Sequence, residues 1–395
     1  MNKYLHPLIL MTFLLSFCRI DPLNSSETSQ PVIQCRTTEP TRDKPQSKLW
    51  YDRGHWWAWL PYGASGSRVW RRDGAGKWVE REHLGGALGQ LPGRADISAT
   101  EDRVVAALVE GNRMAVAALR WNALRSRYEL EDNVIQWSED SEVETVTIAT
   151  ATVGFWIAYP LDSAKGQQVV VRKVSSDLAR LGDKVVLADS LSRDDICAVT
   201  RTDNGVGVMW SNQNTDMLLW RLHLPGAPDT SWSLSDTVDR DHKTADDHIN
   251  FARPPEGATG LKIIAATKTS LDTYGQPLLS LRVNKSGRLW VSIPFARLTQ
   301  KDGEPSRPIA LWYGKRQIVI YTLYGQDSGK VTRNRVMLQQ FSADALDPVG
   351  TARELLPALP GLNNVTGSKL VPADAPLVVL ASDNAGAVYE AVIAP

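Results

Sequence analysis

The stretch TADDHINF, residues 244–251, brings together side chains that can exchange protons or bind a cation. Asp246 and Asp247 stand beside the imidazole of His248, and the carboxamide of Asn250 follows in an apolar, strand-like step. Aspartates ahead of a strand often cap a turn by bonding their own backbone. A histidine with adjoining carboxylates, however, is costly to bury without a task. The stretch is therefore either a structural turn or part of a site.

Polar clusters of this kind recur along the chain, each just ahead of an apolar step. The anchor residues of the seven clusters are Lys48, Asp96, Glu144, Asp195, Asp247, Arg307 and Asn364. The steps between them run from 48 to 60 residues, which is the spacing of four-stranded propeller blades. The sequence therefore predicts an all-β fold, a seven-bladed β-propeller.

Strand-like runs such as VVVRKV and QIVIYTLY dominate the sequence, and helical stretches are scarce. Tryptophan is unusually frequent, with 14 residues against 6 phenylalanines. This combination is typical of many short strands that pack through aromatic side chains. The elements that position the polar clusters are therefore expected to be strands.

The two ends of the chain are predicted to complete one blade together. Only 32 residues remain from Asn364 to the end, which is enough for three strands. The missing outer strand could come from PVIQCRT, residues 31–37, which closes the ring and removes an open sheet edge. This arrangement places Cys35 on an outer strand and Cys197 on an inner one, which argues against a disulfide between them.

The N-terminus has the pattern of an export signal. Lys3 is followed by an apolar stretch too short to remain as a membrane anchor. We predict a signal peptide over 1–20, a linker over 21–30 and a single propeller domain over 31–395. Ser, Thr, Pro and charged residues give 21–47 the composition of a spacer. The protein is expected to be secreted or periplasmic, or lipid-anchored through Cys18 if the signal is of the lipoprotein type.

The overall charge excludes some partners. Lys+Arg and Asp+Glu both number 44, so no global field favours nucleic acid or a membrane surface. No cysteine or histidine cluster has zinc-ligand spacing. We expect a monomer without a metal or other cofactor, with Ca²⁺ bound by Asp246 and Asp247 as the alternative.

In a propeller, the loops entering the inner strands and those leaving the second strands lie on one face. The clusters should therefore meet around one mouth, where mixed charges, amides and aromatic rings suit a saccharide and cations could clamp an acidic one. The predicted binding residues are Lys48, Arg94, Glu144, Asn212, Asn250, Lys268, Arg307 and Asn364. The predicted catalytic residues are His248, Asp247, Asp195 and Tyr159.

Two kinds of chemistry fit these residues. Glycoside hydrolysis needs two carboxyl groups, for which Asp195, Asp247 and Glu144 are candidates. Elimination from a uronate could use His248 as base, with an acid and a cationic clamp. The candidates for that acid and clamp are Tyr159 or Tyr321 and Lys268 or Arg307.

Two other interpretations need no catalysis. The protein could be a non-catalytic lectin or a scaffold for other proteins. Asp96, Asp195 and Asn364 could each be a structural tie that caps a turn or joins neighbouring blades.

Several segments together resemble a family of secreted bacterial seven-bladed β-propellers that is loosely related to the sialidase/BNR-repeat superfamily. The matching segments are KLWYDRGHWWAWL (48–60), GRAD (93–96), DDICAV (194–199), VGVMWSNQ (206–213), DDHINF (246–251), AATKTS (265–270), RPIALW (307–312) and NVTGSKLV (364–371) with LVVLASD (377–383). The resemblance implies the propeller but no particular activity, since the family has no settled one. Sialidases carry an arginine triad and intact aspartate boxes, which this sequence lacks.

Overall fold

The computed structural model describes residues 25–27 and 30–394, apart from 64–65, 101, 241–242, 254–260, 286–288, 315, 326–332 and 343–344. The predicted signal peptide, with Lys3 and Cys18, lies outside the described residues. So does most of the predicted linker. Within the described part of the chain, no helix is long and apolar enough to cross a membrane.

The described chain forms seven antiparallel blades, so the predicted propeller is confirmed. Two short strands precede them: β1 (Ser25–Glu27) and β2 (Ile33–Gln34). Blade 1 contains β3 (Leu49–Asp52), β4 (His55–Pro61), β5 (Ser67–Arg72) and β6 (Trp78–Glu80). Blade 2 contains β7 (Arg94–Ala99), β8 (Arg103–Glu110), β9 (Arg113–Asn122), β10 (Arg127–Leu130) and β11 (Ile135–Ser138). Blade 3 contains β12 (Thr147–Thr150), β13 (Phe155–Ser163), β14 (Gly166–Val174) and β15 (Val185–Leu191).

The remaining blades follow the same order, from the innermost strand outward. Blade 4 contains β16 (Cys197–Thr202), β17 (Gly205–Asn212), β18 (Met217–His223) and β19 (Asp236–Arg240). Blade 5 contains β20 (Ile249–Ala252), β21 (Leu261–Lys268), β22 (Pro277–Lys285) and β23 (Leu289–Arg297). Blade 6 contains β24 (Glu304–Tyr313), β25 (Arg316–Tyr324), β26 (Arg333–Phe341) and β27 (Pro348–Pro360). Blade 7 contains β28 (Asn363–Thr366), β30 (Leu377–Ser382) and β31 (Ala387–Ile393), while β29 (Leu370–Val371) lies between them in the chain.

The core is a ring of apolar layers between neighbouring blades. In β8, alternate residues face opposite neighbours: Val104 and Ala106 pack toward blade 1, and Val105 and Ala107 pack toward blade 3. A middle strand covered on both faces reads as a continuous apolar run, which explains the VVAALV sequence. Nine tryptophans are buried in these layers, as the composition indicated, and five of them are less than 2% exposed: Trp50, Trp57, Trp59, Trp156 and Trp210.

The predicted ring closure is also confirmed. Both β1 and β2 pair antiparallel with β31, with Ser25 opposite Ile393 and Ile33 opposite Val388. The outer strand of blade 7 therefore comes from the N-terminal part of the chain, and β1 lies within the stretch predicted as linker. Cys35 and Cys197 are buried and free, so they form no disulfide.

One short helix and one extra pairing interrupt the regular pattern. The helix α1 (Glu82–Leu88) joins blades 1 and 2 and packs on β5. It contains two glycines and spans only two turns, so its sequence gives little helical signal. After β28, the chain crosses to blade 6, where β29 pairs in parallel with β24.

Residues 39–48 lie in no strand and form what we call the cap segment. Their Pro and charge content gave them the composition of a spacer. The structure corrects that interpretation, because most of the segment is buried, including Thr41, Gln46 and Lys48.

Candidate functional site

The central channel has two ends, which differ in what they expose. We call the end where the innermost strands begin the entry mouth and the end where they finish the exit mouth. The anchors Lys48, Asp195 and Asp247 lie one or two residues before β3, β16 and β20, so they mark the entry mouth. Glu144 also lies ahead of its strand, three residues before β12, whereas Arg94, Arg307 and Asn364 lie within β7, β24 and β28.

The cap segment crosses the entry mouth. Its bonds reach blade 2 through Asp96, blade 3 through the Val146 carbonyl, blade 5 through Asn250 and blade 7 through Ser382. A single segment can contact blades on opposite sides of a ring only by crossing its axis. The mouth that the sequence analysis assigned to a saccharide is therefore occupied by the chain itself.

The TADDHINF stretch forms a buried polar cluster beneath the cap segment. The Nδ1 atom of His248 lies 2.6 Å from a carboxylate oxygen of Asp246 and 2.5 Å from one of Asp247. Its Nε2 atom lies 3.4 Å from the hydroxyl of Ser306 in blade 6. Because His248 is only 5% exposed, the imidazole does not face solvent in this arrangement.

Burial sets the protonation of this cluster. Burial lowers the pKa of His248 to about 3, although the hydrogen bond with Asp246 opposes the shift. Burial alone would raise the pKa of Asp246, but the hydrogen bond from His248 and the charges of His248, Lys268 and Lys44 lower it to about 2. His248 is therefore a neutral imidazole that donates a hydrogen bond to the ionised carboxylate of Asp246 near neutral pH.

Lysine ammonium groups neutralise both carboxylates. Lys44 of the cap segment pairs with Asp247. Lys268 lies 3.4 Å from Asp246 and 3.3 Å from Glu304. The oxygen and nitrogen atoms of Asp246, Asp247 and His248 that could bind a metal lie within 4.8 Å of one another. The lysines already supply positive charge to this cluster.

Asp96 is a tie between the cap segment and two blades. Its fully buried carboxylate accepts hydrogen bonds from the backbone N–H of Ser47 at 2.7 Å and of Ile148 at 2.8 Å. It also accepts one from Lys369 at 2.7 Å. These contacts match the structural role that was the alternative interpretation of this residue.

Two predicted binding cations are also engaged within the protein. Lys48 is fully buried and donates to Gln46 at 2.6 Å and to the Ala95 carbonyl at 3.1 Å. Arg94 pairs with Asp43 of the cap segment at 3.2 Å. Both side chains hold the cap segment in this structure.

Three predicted site residues are bonded elsewhere. Tyr159 lies in the middle of β13 and donates to Glu139 at 2.7 Å, within the layer between blades 2 and 3. The carboxylate of Asp195 accepts backbone N–H groups of its own blade, from Ser192 and Gln213. The last of the three, Asn212, caps the turn after β17 by accepting from Thr215. The structure gives none of these side chains a contact with His248.

A small polar cavity remains between the cap segment and the rim. It measures about 240 Å³. Its lining residues are Glu39, Arg42, Asp43, Lys44, Glu144, Arg307 and Asn364. The structure thus brings three predicted binding residues together here, and Asn364 donates to Glu39 at 3.0 Å.

The exit mouth opens into a larger cavity of about 660 Å³, which we call the exit cavity. Its walls are the last residues of β3, β7, β12 and β16, together with residues 368–370 and 372. Hydroxyl groups line these walls, and the Ser98 and Thr150 hydroxyls of adjacent blades lie 2.6 Å apart. The aromatic ring of Tyr51 adds an apolar face.

The exit cavity is positively charged. Its cationic lining residues are Arg53, Arg201, Arg253 and Lys369. Among the described lining residues the only carboxylate is Asp52, which accepts hydrogen bonds from Arg53 and from the Tyr128 hydroxyl. Arg53 occupies the tight turn after β3 with a φ of 49°, followed by Gly54 at 76°. Such paired positive φ values are typical of a two-residue hairpin turn.

Arg201 differs from the other three cations. It is exposed on β16, and within the described part of the chain its guanidinium has no hydrogen-bond or ion-pair partner. Arg201 was not among the predicted site residues, because those are expected to precede or begin inner strands or to end second strands, whereas Arg201 lies near the end of an inner strand. A sequence pattern that could have identified Arg201 is the recurrence of basic or hydroxyl residues toward the ends of several inner strands, as with Ser98 and Thr200.

The fold and the two-ended channel define the class of protein as a seven-bladed β-propeller. No protein-family model matches the chain, and no curated protein matches it significantly. Solved structures do resemble it. An ulvan lyase, described as a new family of polysaccharide lyase, has 10% identity and a TM-score of 0.51, covering 92% of this chain and 96% of the lyase.

The same lyase bound to -[GlcA(1-4)Rha3S]- gives 11% identity, the same coverage and a TM-score of 0.51. A periplasmic gluconolactonase of Pseudomonas aeruginosa has 14% identity and a TM-score of 0.50, covering 84% of this chain and 93% of the other. At such identities the likeness concerns the fold alone.

Proposed function

We propose that this protein is an exported propeller that binds an acidic saccharide in the exit cavity. The observation that carries the proposal is the charge of that cavity: Lys369 is paired with Asp96, and Arg53 with Asp52 and Asp102, but the exposed guanidinium of Arg201 has no partner among the described residues. Guanidinium groups bind carboxylate or sulfate with paired, charge-assisted hydrogen bonds. Hydroxyls and the Tyr51 ring suit the remaining, uncharged surface of a sugar.

The similar folds give this proposal modest support. One of them is a polysaccharide lyase bound to -[GlcA(1-4)Rha3S]-, a repeat that carries a uronate and a sulfate. Fold analogy does not transfer chemistry. The ligand class is therefore argued from the cavity and not from these neighbours.

We favour binding without cleavage. The protein would then be a non-catalytic lectin, one of the alternatives that the sequence left open. Hydrolysis needs two carboxyl groups in different environments, whereas the described lining of the exit cavity offers only Asp52, already bonded to Arg53 and Tyr128. The predicted base for elimination, His248, lies under the cap segment. We propose no metal, because Lys44 and Lys268 neutralise the acidic cluster.

Replacement of Arg201 tests the proposal. We expect Arg201→Met to weaken binding of acidic oligosaccharides about 10- to 100-fold, since it removes a charge-assisted contact of about 1.5–3 kcal/mol. The measurement is calorimetric titration with oligosaccharides of galacturonate, glucuronate–rhamnose sulfate, arabinose and galactose. Absorbance of unsaturated uronate and release of reducing ends, followed in parallel, report any cleavage.

The matched control is Arg193→Met, an exposed arginine just before β16, at the opposite end of the same strand. This control should bind like the wild type. Equal affinities for Arg201→Met and wild type would refute binding in the exit cavity. If the protein cleaves any of these oligosaccharides, it is a lyase or hydrolase and not a lectin.

A further inference from the structure

The cap segment is attached to the propeller through polar side chains and, at its two ends, through backbone hydrogen bonds. The Glu39 N–H donates to the Asp383 carbonyl, and the carbonyls of Ser47 and Lys48 accept from Ile97 and Trp59. The segment is flanked by β2, which ends at Gln34, and by β3, which begins at Leu49. Its own residues lie in no strand. The middle of the segment, residues 40–46, can therefore open without breaking the ladder of any blade, because local opening requires the loss only of its own contacts.

The contacts of the cap segment are complementary in charge to the rim. Lys44 pairs with Asp247, and Asp43 pairs with Arg94. Asn250 donates to the Lys44 carbonyl at 3.2 Å. The hydroxyls of Thr41 and Ser382 lie 2.6 Å apart. The segment therefore occupies a rim that offers a carboxylate, a guanidinium, carboxamides and a hydroxyl.

These rim groups are the kind that bind a polyhydroxylated ligand, since sugar hydroxyls need donors and acceptors side by side. Beneath them lie Asp246, His248 and Lys268, which are more than four-fifths buried as side chains. The cavity of about 240 Å³ that remains at the rim is lined by polar residues. The cap segment thus stands where such a ligand would contact the blades.

We propose that the entry mouth is a second saccharide site that the cap segment closes, with the Lys44–Asp247 ion pair as its latch. Residues 39–48 act as an internal competitor for the rim. Because they are part of the chain, their effective concentration at the mouth is high, and an external ligand binds only after the latch is released. This inference does not depend on binding at the exit cavity.

Chemical modification of His248 by diethylpyrocarbonate tests the closure. Each protein is treated as the intact chain, and the peptide containing His248 is quantified by mass spectrometry. We expect Lys44→Met to increase the modification rate about tenfold or more, because breaking a buried ion pair favours the open form. Lys165→Met, at an exposed lysine in the hairpin after β13, should leave the rate unchanged.

Two further variants separate opening from unfolding. Pro45→Gly loosens the segment without removing an ion pair and should also raise the rate. The pair Thr41→Cys and Ser382→Cys, oxidised to a disulfide, should abolish modification. Acidic or neutral oligosaccharides of the panel should protect His248 in the Lys44→Met protein.

Two results would overturn the inference. The cap segment is a fixed part of the fold if His248 reacts in the Lys44→Met and Pro45→Gly proteins only at the rate of global unfolding. The mouth is not a saccharide site if His248 becomes reactive but no member of the panel protects it. Neither result affects Arg201, so the exit-cavity proposal is judged separately.

Discussion

The buried charges around His248 tie the stability of the protein to pH. The unfolded chain binds a proton at His248 below about pH 6.5, whereas burial lowers the pKa of the folded residue to about 3. Between these values the unfolded state holds more protons. The free energy of unfolding should therefore fall as the pH falls through this window.

We predict that His248→Gln reduces this pH dependence between pH 6.5 and 4. The slope lost should approach about 1.4 kcal/mol per pH unit. Asp246 adds to the slope only below about pH 5, and mainly below pH 4, because its pKa is about 3.9 in the unfolded chain and about 2 in the folded protein. Burial also lowers the pKa of His223, so part of the slope remains. Urea unfolding across this pH range measures the effect.

The control for this prediction is His83→Gln, at an exposed histidine on α1. It should keep the slope of the wild type. An unchanged slope in the His248→Gln protein would show that the imidazole is hydrated or already protonated in the folded state.

At the scale of single residues, the sequence predicted which residue types form the polar cluster better than it predicted which side chains they contact. It singled out His248 with its carboxylates, and the structure brings those three side chains together. The sequence could not identify Lys44 as the counter-ion of these carboxylates, because Lys44 lies about 200 positions before them and only the fold brings them together. Tyr159 shows the same limit, since a shift of one residue along a strand reverses the face on which a side chain lies.

At the scale of the elements, side-chain hydrogen bonds at the junction between blades 1 and 7 help to hold the ring closed. Arg72 of β5 donates two hydrogen bonds to the carboxylate of Glu390 in β31, at 2.6 and 3.0 Å. The indole of Trp78 donates to the same carboxylate at 2.8 Å. Glu390 is only 3% exposed, so these bonds are shielded from water and join the first blade to the last.

We predict that Glu390→Gln lowers the free energy of unfolding by roughly 2 kcal/mol, because it leaves the partly buried Arg72 without its carboxylate. Urea titration followed by tryptophan fluorescence measures the change. Glu142→Gln, at an exposed glutamate between blades 2 and 3, is the matched control. The junction would be dispensable if both variants unfolded at the same urea concentration.

The elements themselves were largely predictable, and the cap segment was not. The blades could be predicted from strand-like apolar runs and from polar clusters that recur every 48 to 60 residues, both of which can be read directly from the sequence. The ring closure by PVIQCRT followed from counting strands. Residues 39–48 are mostly polar or charged because they bind the polar rim of the entry mouth. This gives them the composition of a spacer. Composition alone cannot distinguish a segment that binds charges from one that is solvated.

At the scale of the whole molecule, the two ends of the channel have different roles. The entry mouth is filled by residues 39–48, and the exit mouth leaves a cavity of about 660 Å³ with an excess of cations. The total charge of the chain is balanced, so this excess is local. A local positive cavity selects its ligand by charge and loses affinity as salt screens it.

The most direct test of the central claim compares one oligosaccharide with and without its charge. A galacturonate tetrasaccharide and its carboxyl-reduced form, a galactose tetrasaccharide, are titrated into the wild-type protein at low and physiological salt. We predict that the acidic form binds at least about tenfold more tightly, which corresponds to about 1.4 kcal/mol, and that salt reduces the difference. Equal affinity of the two forms, or tighter binding of the neutral one, would contradict an acidic-saccharide site at the exit mouth.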